Sequence, residues 1–305
     1  MEEIYHEGER EIQQRVGEVL IANRNGAVIT NTIIRGAINF IEKQPMAIVS
    51  SVNPSGEVWA SLLIGNFGFA KVPHPNAIVL SKDMITSNHG DIFFENIIPN
   101  NQIGSLFIEL DSRRRFRING KCTIDGEKIE IKIDEAFPNC PKYIQRRVVS
   151  LNEHFNISTP TSIYGNKLTP NEKEWISKAD TFFVGSCGSS GKLDVNHRGG
   201  KPGFVEIIDD MTLKIPDYQG NSLYNTLGNI VQNPNAGLIF IDFDKRKTLQ
   251  LTGKAELLFE QNSEMDLAKS GGTGRYWIFK AERWIITENH HGVQWAFLDY
   301  SPFNP

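Results

Sequence analysis

The sequence predicts a mainly β protein of the α+β kind, laid out as two similar antiparallel β units in tandem. Helices are expected at the N-terminus and between the units. Internal repetition and a turn-punctuated strand pattern carry this expectation. IGSLFIELDSRRRFRINGK, Ile103–Lys121, recurs as AGLIFIDFDKRKTLQLTGK, Ala236–Lys254, at an offset of 133 residues with seven of nineteen positions identical. Both copies run apolar strand, acidic residue, basic turn, second strand, then Gly-Lys. Ahead of them, MAIVSSVNPSGEVWASLLIG, Met46–Gly65, lies over TFFVGSCGSSGKLDVNHRGG, Thr181–Gly200, with five of twenty identical. Ser55-Gly56 and Ser190-Gly191 form the matched hairpin turns. Two pairs in the same order at nearly the same offset point to duplication.

A chain of 305 residues suits about two domains. The expected division is 1–45, an N-terminal helical extension; 46–135, a first β unit; 136–180, inter-unit helices and linker; and 181–305, a second β unit. In the first segment Ile12, Val16, Val19 and Leu20 fall on one helical face, and Ile33 to Phe40 continues apolar before Pro45. From Met46 to Ile133, short β-branched and aromatic runs alternate with NPSG, VPHPN and NG, the pattern of an antiparallel barrel or sandwich. FPNCPKYIQRRVVSLNEHF then reads as a Pro-punctuated loop leading into a helix, and Ser158–Ser162 as a linker. A helix starting near the Pro170-Asn171 cap closes with Trp175–Ala179. GNSLYNTLGNIVQN has helical spacing at Leu223, Leu227, Ile230 and Val231, and strands return from Tyr276 to Trp295.

Net charge −4 and a pI near 6.0 leave no broad basic face for a phosphate backbone, so nucleic acid is not the expected partner. No apolar run approaches the roughly 18 residues of a membrane span. The acidic start MEEIYHEGERE is unlike a signal peptide. A cytoplasmic protein without a membrane partner is expected. Cys122, Cys140 and Cys187 are odd in number and lack metal-ligand spacing, which predicts free thiols and no structural metal.

GSCGSSGK invites a phosphate-loop reading but fails it, since Ser186 holds the first Gly position, Leu193 follows Lys192, and a strand follows instead of a helix. In LDVNHRGGKPGFVEI, the residues Asn196, His197, Arg198 and Lys201 interrupt a strand, and Gly199, Gly200 and Gly203 permit close backbone approach. This suits an anion or a flat ring; the plainer account is an exposed bulge with solvated charges. The first copy has SLLIGNFGF there, without the polar groups. RRRFR sets Arg113, Arg115 and Arg117 on one strand face, where the second copy has Thr248 and Gln250 opposite the last two. The face is either a solvated barrel exterior or a holder of phosphate or of an anionic ring. His290 and His291 have no carboxylate at useful spacing. Cys140 is read as opening a helix, the plainer account being a buried structural thiol. Trp277, Trp284 and Trp295 are assigned to the core. No residue stands out as a catalytic acid, base or nucleophile.

The run DYQGNSLYNTLGNIVQNPNAGLIFIDFDKRKTLQLTGKAE resembles the FMN-binding split-barrel family of pyridoxamine 5′-phosphate oxidase and its relatives. The resemblance covers Thr181–Glu256 and, more loosely, Met46–Ile124. NCPKYIQRR, Asn139–Arg147, is similar to a Cys-x-Lys-x-x-x-Arg element of some members, and LDVNHRGG and SPFNP are similar to a long two-barrel subfamily. The resemblance implies two tandem six-stranded antiparallel split barrels forming an intrachain pseudo-dimer, with FMN in the groove between barrels. A further homodimer is left open.

This chain departs from the family's phosphate clamp. Tyr224, Asn225 and Thr226 stand at the helix head with no cation, and Pro202 and Ile207 fall near the family's strand Arg and Lys. The family glutamine becomes Thr248, with Gln250 two residues on. A phosphate still needs compensation. The expected cofactor-binding set is therefore Asn196, His197, Arg198 and Lys201; Asp217, Ser222, Asn225 and Thr226 around a helix N-terminus; Thr248 and Gln250; Lys142 and Arg146 from an inter-barrel helix; and Arg115 and Arg117. The expected function is an FMN-dependent oxidoreductase using a small-molecule substrate or an electron donor such as NAD(P)H, with one FMN per chain. The alternatives are a non-catalytic flavin or haem sensor or stress protein, and a barrel with no cofactor.

Overall fold

The computed structural model describes residues 4–150 and 159–305. The N-terminal segment folds as three short helices, α1 Glu7–Arg15, α2 Val19–Gly26 and α3 Arg35–Glu42. Gly17, at φ 71°, breaks the first from the second. The single apolar face read from Ile12 to Leu20 is therefore interrupted: Ile12 is buried, whereas Leu20 is 85% exposed.

The first β unit comprises β1 Met46–Val52, β2 Val58–Ile64, β3 Ala70–His74 and β4 Ala77–Ser81, then α4 Ile92–Asn96, β5 Gln102–Glu109, β6 Arg114–Asp125 and β7 Lys128–Pro138. β8 Arg146–Ser150 and β9 Thr161–Gly165 follow, with α5 Pro170–Lys178. The second unit comprises β10 Thr181–Cys187, β11 Leu193–Gly199, β12 Glu206–Ile207 and β13 Thr212–Pro216, then α6 Asn225–Gln232, β14 Asn235–Asp242, β15 Lys247–Leu258, α7 Glu264–Lys269 and β16 Tyr276–Glu288. β17 Gln294–Asp299 pairs with β8 near the C-terminus.

The chain is mainly β, with two large antiparallel sheets arranged as two split barrels. Among the described residues the first sheet runs β2-β1-β5-β6-β7-β4-β3 and the second β11-β10-β14-β15-β16-β13-β12, with β9 added on β16. The strand orders correspond one for one, and each sheet adds a short edge strand, β3 or β12, to the six expected. The repeat's fixed features have structural causes. Gly56 and Gly191 turn their hairpins at φ 83° and 81°. Gly120 and Gly253 each sit at a register shift, where a Cβ would overlap the carbonyl oxygen of Lys132 or Lys280.

Each barrel has its own apolar core. Phe69, Phe93, Phe107 and Ile131 lie in the first; Phe182, Phe240, Leu251 and Trp277 lie in the second. A third cluster joins Leu62 and Leu106 to Phe183 and Val195 between the sheets. The glycines make this approach close and reciprocal. A Cβ on Gly104 of β5 would lie 2.9 Å from the Leu193 carbonyl oxygen on β11, and one on Gly237 of β14 would lie 2.7 Å from Trp59 Cα on β2. Trp277 and Trp284 are core residues, while Trp295 is half-buried against Phe243 and His291.

The helix expected after Cys140 is not formed. Residues 140–145 are irregular and Arg146–Ser150 is strand β8, because Arg146 and Val148 face outward while Arg147 turns in, a period of two. The linker expected at 158–162 begins outside the described residues, and Thr161 already belongs to β9. α5 begins as read, with a capping box between Thr169 and Glu172. Among the described residues no helix is long and apolar enough to cross a membrane.

Candidate functional site

Strand β11 lies at the edge of the second barrel, where it faces β6 of the first barrel. Beside it, α6 begins without a side-chain cap, its first residues preceded by Ser222 and Tyr224 in left-handed conformations at φ 63° and 61°. An open cleft lies between these elements. Its empty space, open solvent included, is about 810 Å³. Asn196, His197 and Arg198 of β11 form one wall, Ser222, Asn225 and Thr226 a second, and Asp217 and Tyr218 the rim after β13. The first barrel contributes Arg115, and the irregular segment beyond β7 contributes Asn139, Cys140, Lys142 and Tyr143.

Alternation along β11 determines what its residues do. Asn196 and Arg198 project toward α6 and β13: Asn196 Nδ2 donates to Thr226 Oγ1 at 2.7 Å, and Arg198 Nη1 donates to Asp217 Oδ1 at 2.8 Å. Asp217 also accepts from Arg275 Nε at 3.1 Å, so one carboxylate holds two guanidinium groups. His197 points the other way, edge-on to Phe183 between the barrels, with neither ring nitrogen partnered. Burial, then Arg115 and Arg198, hold its pKa well below the ordinary range, so the imidazole is neutral.

Arg115 donates from Nε to the Cys140 carbonyl at 2.7 Å. Burial, then Arg117 and Arg198, push its pKa down to about 9 against the opposing pull of Cys140, leaving a cation at neutral pH. Arg117 lies behind the cleft wall, 1% exposed, and is committed internally. Its Nη1 donates to Asp194 Oδ1 at 3.0 Å and Asn225 Oδ1 at 2.7 Å, and its Nη2 donates to Asn196. It braces two cleft residues and does not itself line the cleft, its Nε remaining buried without a partner.

Thr248 and Gln250 stand in the mirror-image groove. Gln250 Nε2 donates to Ser61 Oγ at 2.9 Å and to the Ala60 carbonyl at 3.0 Å, as Arg117 contacts Asn196 on the other side. That groove is packed with the chain's own groups. Asp91 Oδ1 caps α4 through Phe93 N at 2.9 Å and accepts from Ser61 Oγ at 2.6 Å. His290, fully buried with His291, bonds the Leu62 carbonyl at 2.9 Å.

Three further assignments change. Arg146 is on the surface between Asp111 and Asp299, away from the cleft. Lys201 is exposed beyond the end of β11 and does not line the cleft. Cys140 opens no helix; it borders the cleft half-buried, while burial pushes the thiols of Cys122 and Cys187 up to about 11. No local motif singles out Arg275, 58 residues from its partner Asp217, or Gln145. The latter ties the cleft segment to the C-terminus, accepting from Ser301 N at 2.7 Å and Asn304 Nδ2 at 3.0 Å. SPFNP is therefore a brace for the Lys142–Tyr143 wall.

The strand and helix that form two walls of this cleft fall within one matched segment, while Arg115 and the Asn139–Tyr143 wall lie outside it. Residues 168–286 match the pyridoxamine 5′-phosphate oxidase family. The match covers the second barrel, including β11, α6 and β15, which carry the resemblance seen in the sequence to pyridoxamine 5′-phosphate oxidase. No curated protein matches the chain. Among solved structures, HupZ of Group A Streptococcus is similar at 15% identity, covering 44% of this chain and 98% of its own, with a TM-score of 0.32. HutZ, the haem storage protein of Vibrio cholerae, is similar at 14% identity over 44% and 95%, TM-score 0.28. An FMN-binding protein of Syntrophomonas wolfei is similar at 14% over 37% and 86%, TM-score 0.27. The departures from the pyridoxamine 5′-phosphate oxidase clamp remain as the sequence shows them: no cation stands on the first turn of α6.

Proposed function

We propose that the protein is an FMN-binding flavoprotein that holds one flavin per chain in this cleft and works as an oxidoreductase. The observation that carries the reading is the contrast between two equivalent helix termini. In the first barrel the chain's own Asp91 carboxylate fills the N-terminus of α4, whereas in the second barrel α6 begins uncapped beside Arg198. A helix N-terminus presents backbone N–H groups and positive potential to an anion. The residues present fit the phosphate of FMN in chemistry: Arg198 retains Nε without a partner, Asn225 and Thr226 open the helix, and Lys142 stands on the facing wall.

Bound FMN supplies hydride or electron transfer, and the chain supplies binding and orientation. Asp217 holds Arg198 against the rim, Arg117 fixes Asn196 and Asn225 from behind, and Arg115 keeps a positive charge at the inter-barrel wall. Tyr143 and Tyr218, with ring centroids 4.9 Å apart, form an aromatic edge against which a flat ring can lie. The cleft stays open to solvent, which suits a small substrate or a nicotinamide donor. The fused barrels serve as the intrachain counterpart of a dimer, the first covering the site of the second.

The visible spectrum of the purified protein, reconstituted with FMN, tests the reading. A flavin band that bleaches on NAD(P)H addition and returns with an acceptor supports the enzyme. Arg198→Ala should weaken FMN binding by about tenfold or more, one charge-assisted phosphate contact being worth about 1.5–3 kcal/mol. Unchanged affinity in a flavin-fluorescence titration would remove Arg198 from the site. The second reading, a non-catalytic flavin or haem binder, has one feature in its favour: the neutral, unpartnered imidazole of His197 lies buried between the barrels, on the strand that walls the cleft. A Soret band on haemin addition that His197→Ala abolishes would select it.

A further inference from the structure

The polar layer behind the cleft contains more carboxylates than cations. Glu9 of α1, Asp194 of β11 and Glu135 of β7 gather around the guanidinium of Arg117 from β6. Glu9 reaches this layer because Gly8 and Gly228 let α1 and α6 meet backbone to backbone. A Cβ on Gly8 would overlap the Gly228 carbonyl oxygen, and one on Gly228 would lie 2.6 Å from Glu9 N. The Glu9 carboxylate accepts from His6 N at 3.0 Å and from Asn225 Nδ2. The same Asn225 borders the cleft and accepts from Arg117 on its other side. A single amide therefore separates the Glu9 carboxylate from the anion site at the start of α6.

Among the described residues, the one buried cation facing Glu9 is Arg117 of β6, which Asp194 and Glu135 share. From its own helix, His6 Nε2 lies 3.6 Å away, but burial lowers the His6 pKa and the ring is neutral at pH 7 and above. Arg10 turns outward to Asn23 and over the Tyr5 ring. From α6 come only the amides Asn225 and Asn229, and from β11 and β7 come the like charges of Asp194 and Glu135. Lys192 is exposed. Burial, then Asp194, push the Glu9 carboxyl up to about 8.

We propose that binding an anion at the N-terminus of α6 takes up a proton from solvent onto Glu9, transmitted through Asn225. An anion placed beside Asn225 adds a further negative charge to this layer, which disfavours the carboxylate form of Glu9. Affinity then falls as pH rises through the Glu9 pKa, because the proton must first be acquired. The inference deepens the flavin reading and rests on it only for the identity of the anion.

Calorimetric titration near pH 8, in buffers of different ionisation enthalpy, tests it with three ligands: FMN, riboflavin and inorganic sulfate. At that pH the phosphate group is fully ionised, so proton exchange reports the protein. The wild type should take up about half a proton with FMN or sulfate and none with riboflavin. Its affinity for FMN should weaken up to roughly tenfold between pH 7 and pH 9. Glu9→Gln, which keeps the shape of the protonated carboxyl, should bind FMN with no proton uptake and a flat pH profile. An infrared difference spectrum of the wild type should show a protonated-carboxyl band growing on sulfate addition, independent of any variant. No uptake by the wild type, equal uptake by Glu9→Gln, or no infrared band overturns the proposal. Uptake with sulfate and no binding of FMN removes the flavin reading and keeps the Glu9 coupling; no binding of either anion removes both.

Discussion

Glu9 and Arg117 show how a few buried charges behind the cleft bear on stability. The Glu9 carboxyl titrates near 8 in the folded protein, against an ordinary value near 4.5, mainly through burial. Since the folded state holds its proton more tightly, the stabilising contribution is complete below about pH 4.5 and is lost as pH rises toward 8. Urea unfolding of the wild type should therefore show stability falling over that window by on the order of 2–4 kcal/mol more than in Glu9→Gln. Equal slopes for the two proteins would place the titration elsewhere. Arg117 is the converse case. Replacing it with Met leaves Asp194 buried with its amide partners but no cation, and should cost about 3–5 kcal/mol by the same measurement. The RRRFR run shows three alternating arginines but not their partners. Asp194, Asn196 and Asn225 lie 77 to 108 residues away, so a committed internal arginine and a free ligand-binding one look alike in sequence.

At the scale of elements, positions constrained by backbone geometry were the most legible. The Gly-Lys that ends both copies of the repeat marks a bulge where only glycine fits against the neighbouring strand's carbonyl, and the paired Ser-Gly turns are left-handed hairpin corners. Gly253→Ala should accordingly destabilise the second barrel by about 1–3 kcal/mol, seen as a lowered thermal midpoint; an unchanged midpoint would mean that the bulge relaxes without cost. The strand after Cys140 is illegible locally because its partner β17 comes some 150 residues later, and a short edge strand carries too few residues to display its period. The α6 terminus was legible from GNSLYNTLGNIVQN, but its counterpart was not: nothing local announces that Asp91 occupies the start of α4. Asp91→Ala should cost about 0.5–2 kcal/mol as a lost cap, since Phe93 N and Ser61 both lose their acceptor.

For the whole molecule, duplication within one chain has a consequence that a symmetric pair of chains cannot have. In a homodimer both grooves carry the same residues and must fill or empty together. Here the strand orders and the reciprocal glycine contacts are retained, yet the grooves differ at every polar position that matters. Asn196 faces Arg117 on one side, and Ser61 faces Gln250 on the other; an uncapped α6 borders an open cleft, whereas α4 is closed by Asp91 and the groove behind it holds the buried His290. In the proposed reading the first barrel covers the cleft with Arg115, the segment beyond β7 adds the Asn139–Tyr143 wall, and the second barrel carries the strand and helix that border it. The flavin-to-protein ratio at saturation should therefore be one per chain, measured from flavin absorbance against quantitative amino-acid analysis. Asp91→Ala, which opens the α4 terminus, should leave that ratio at one because the buried imidazole of His290, bonded to the Leu62 carbonyl, still fills the groove. A ratio of two in the wild type would show that the packed groove opens to admit a second flavin, and would overturn the division of labour between the barrels.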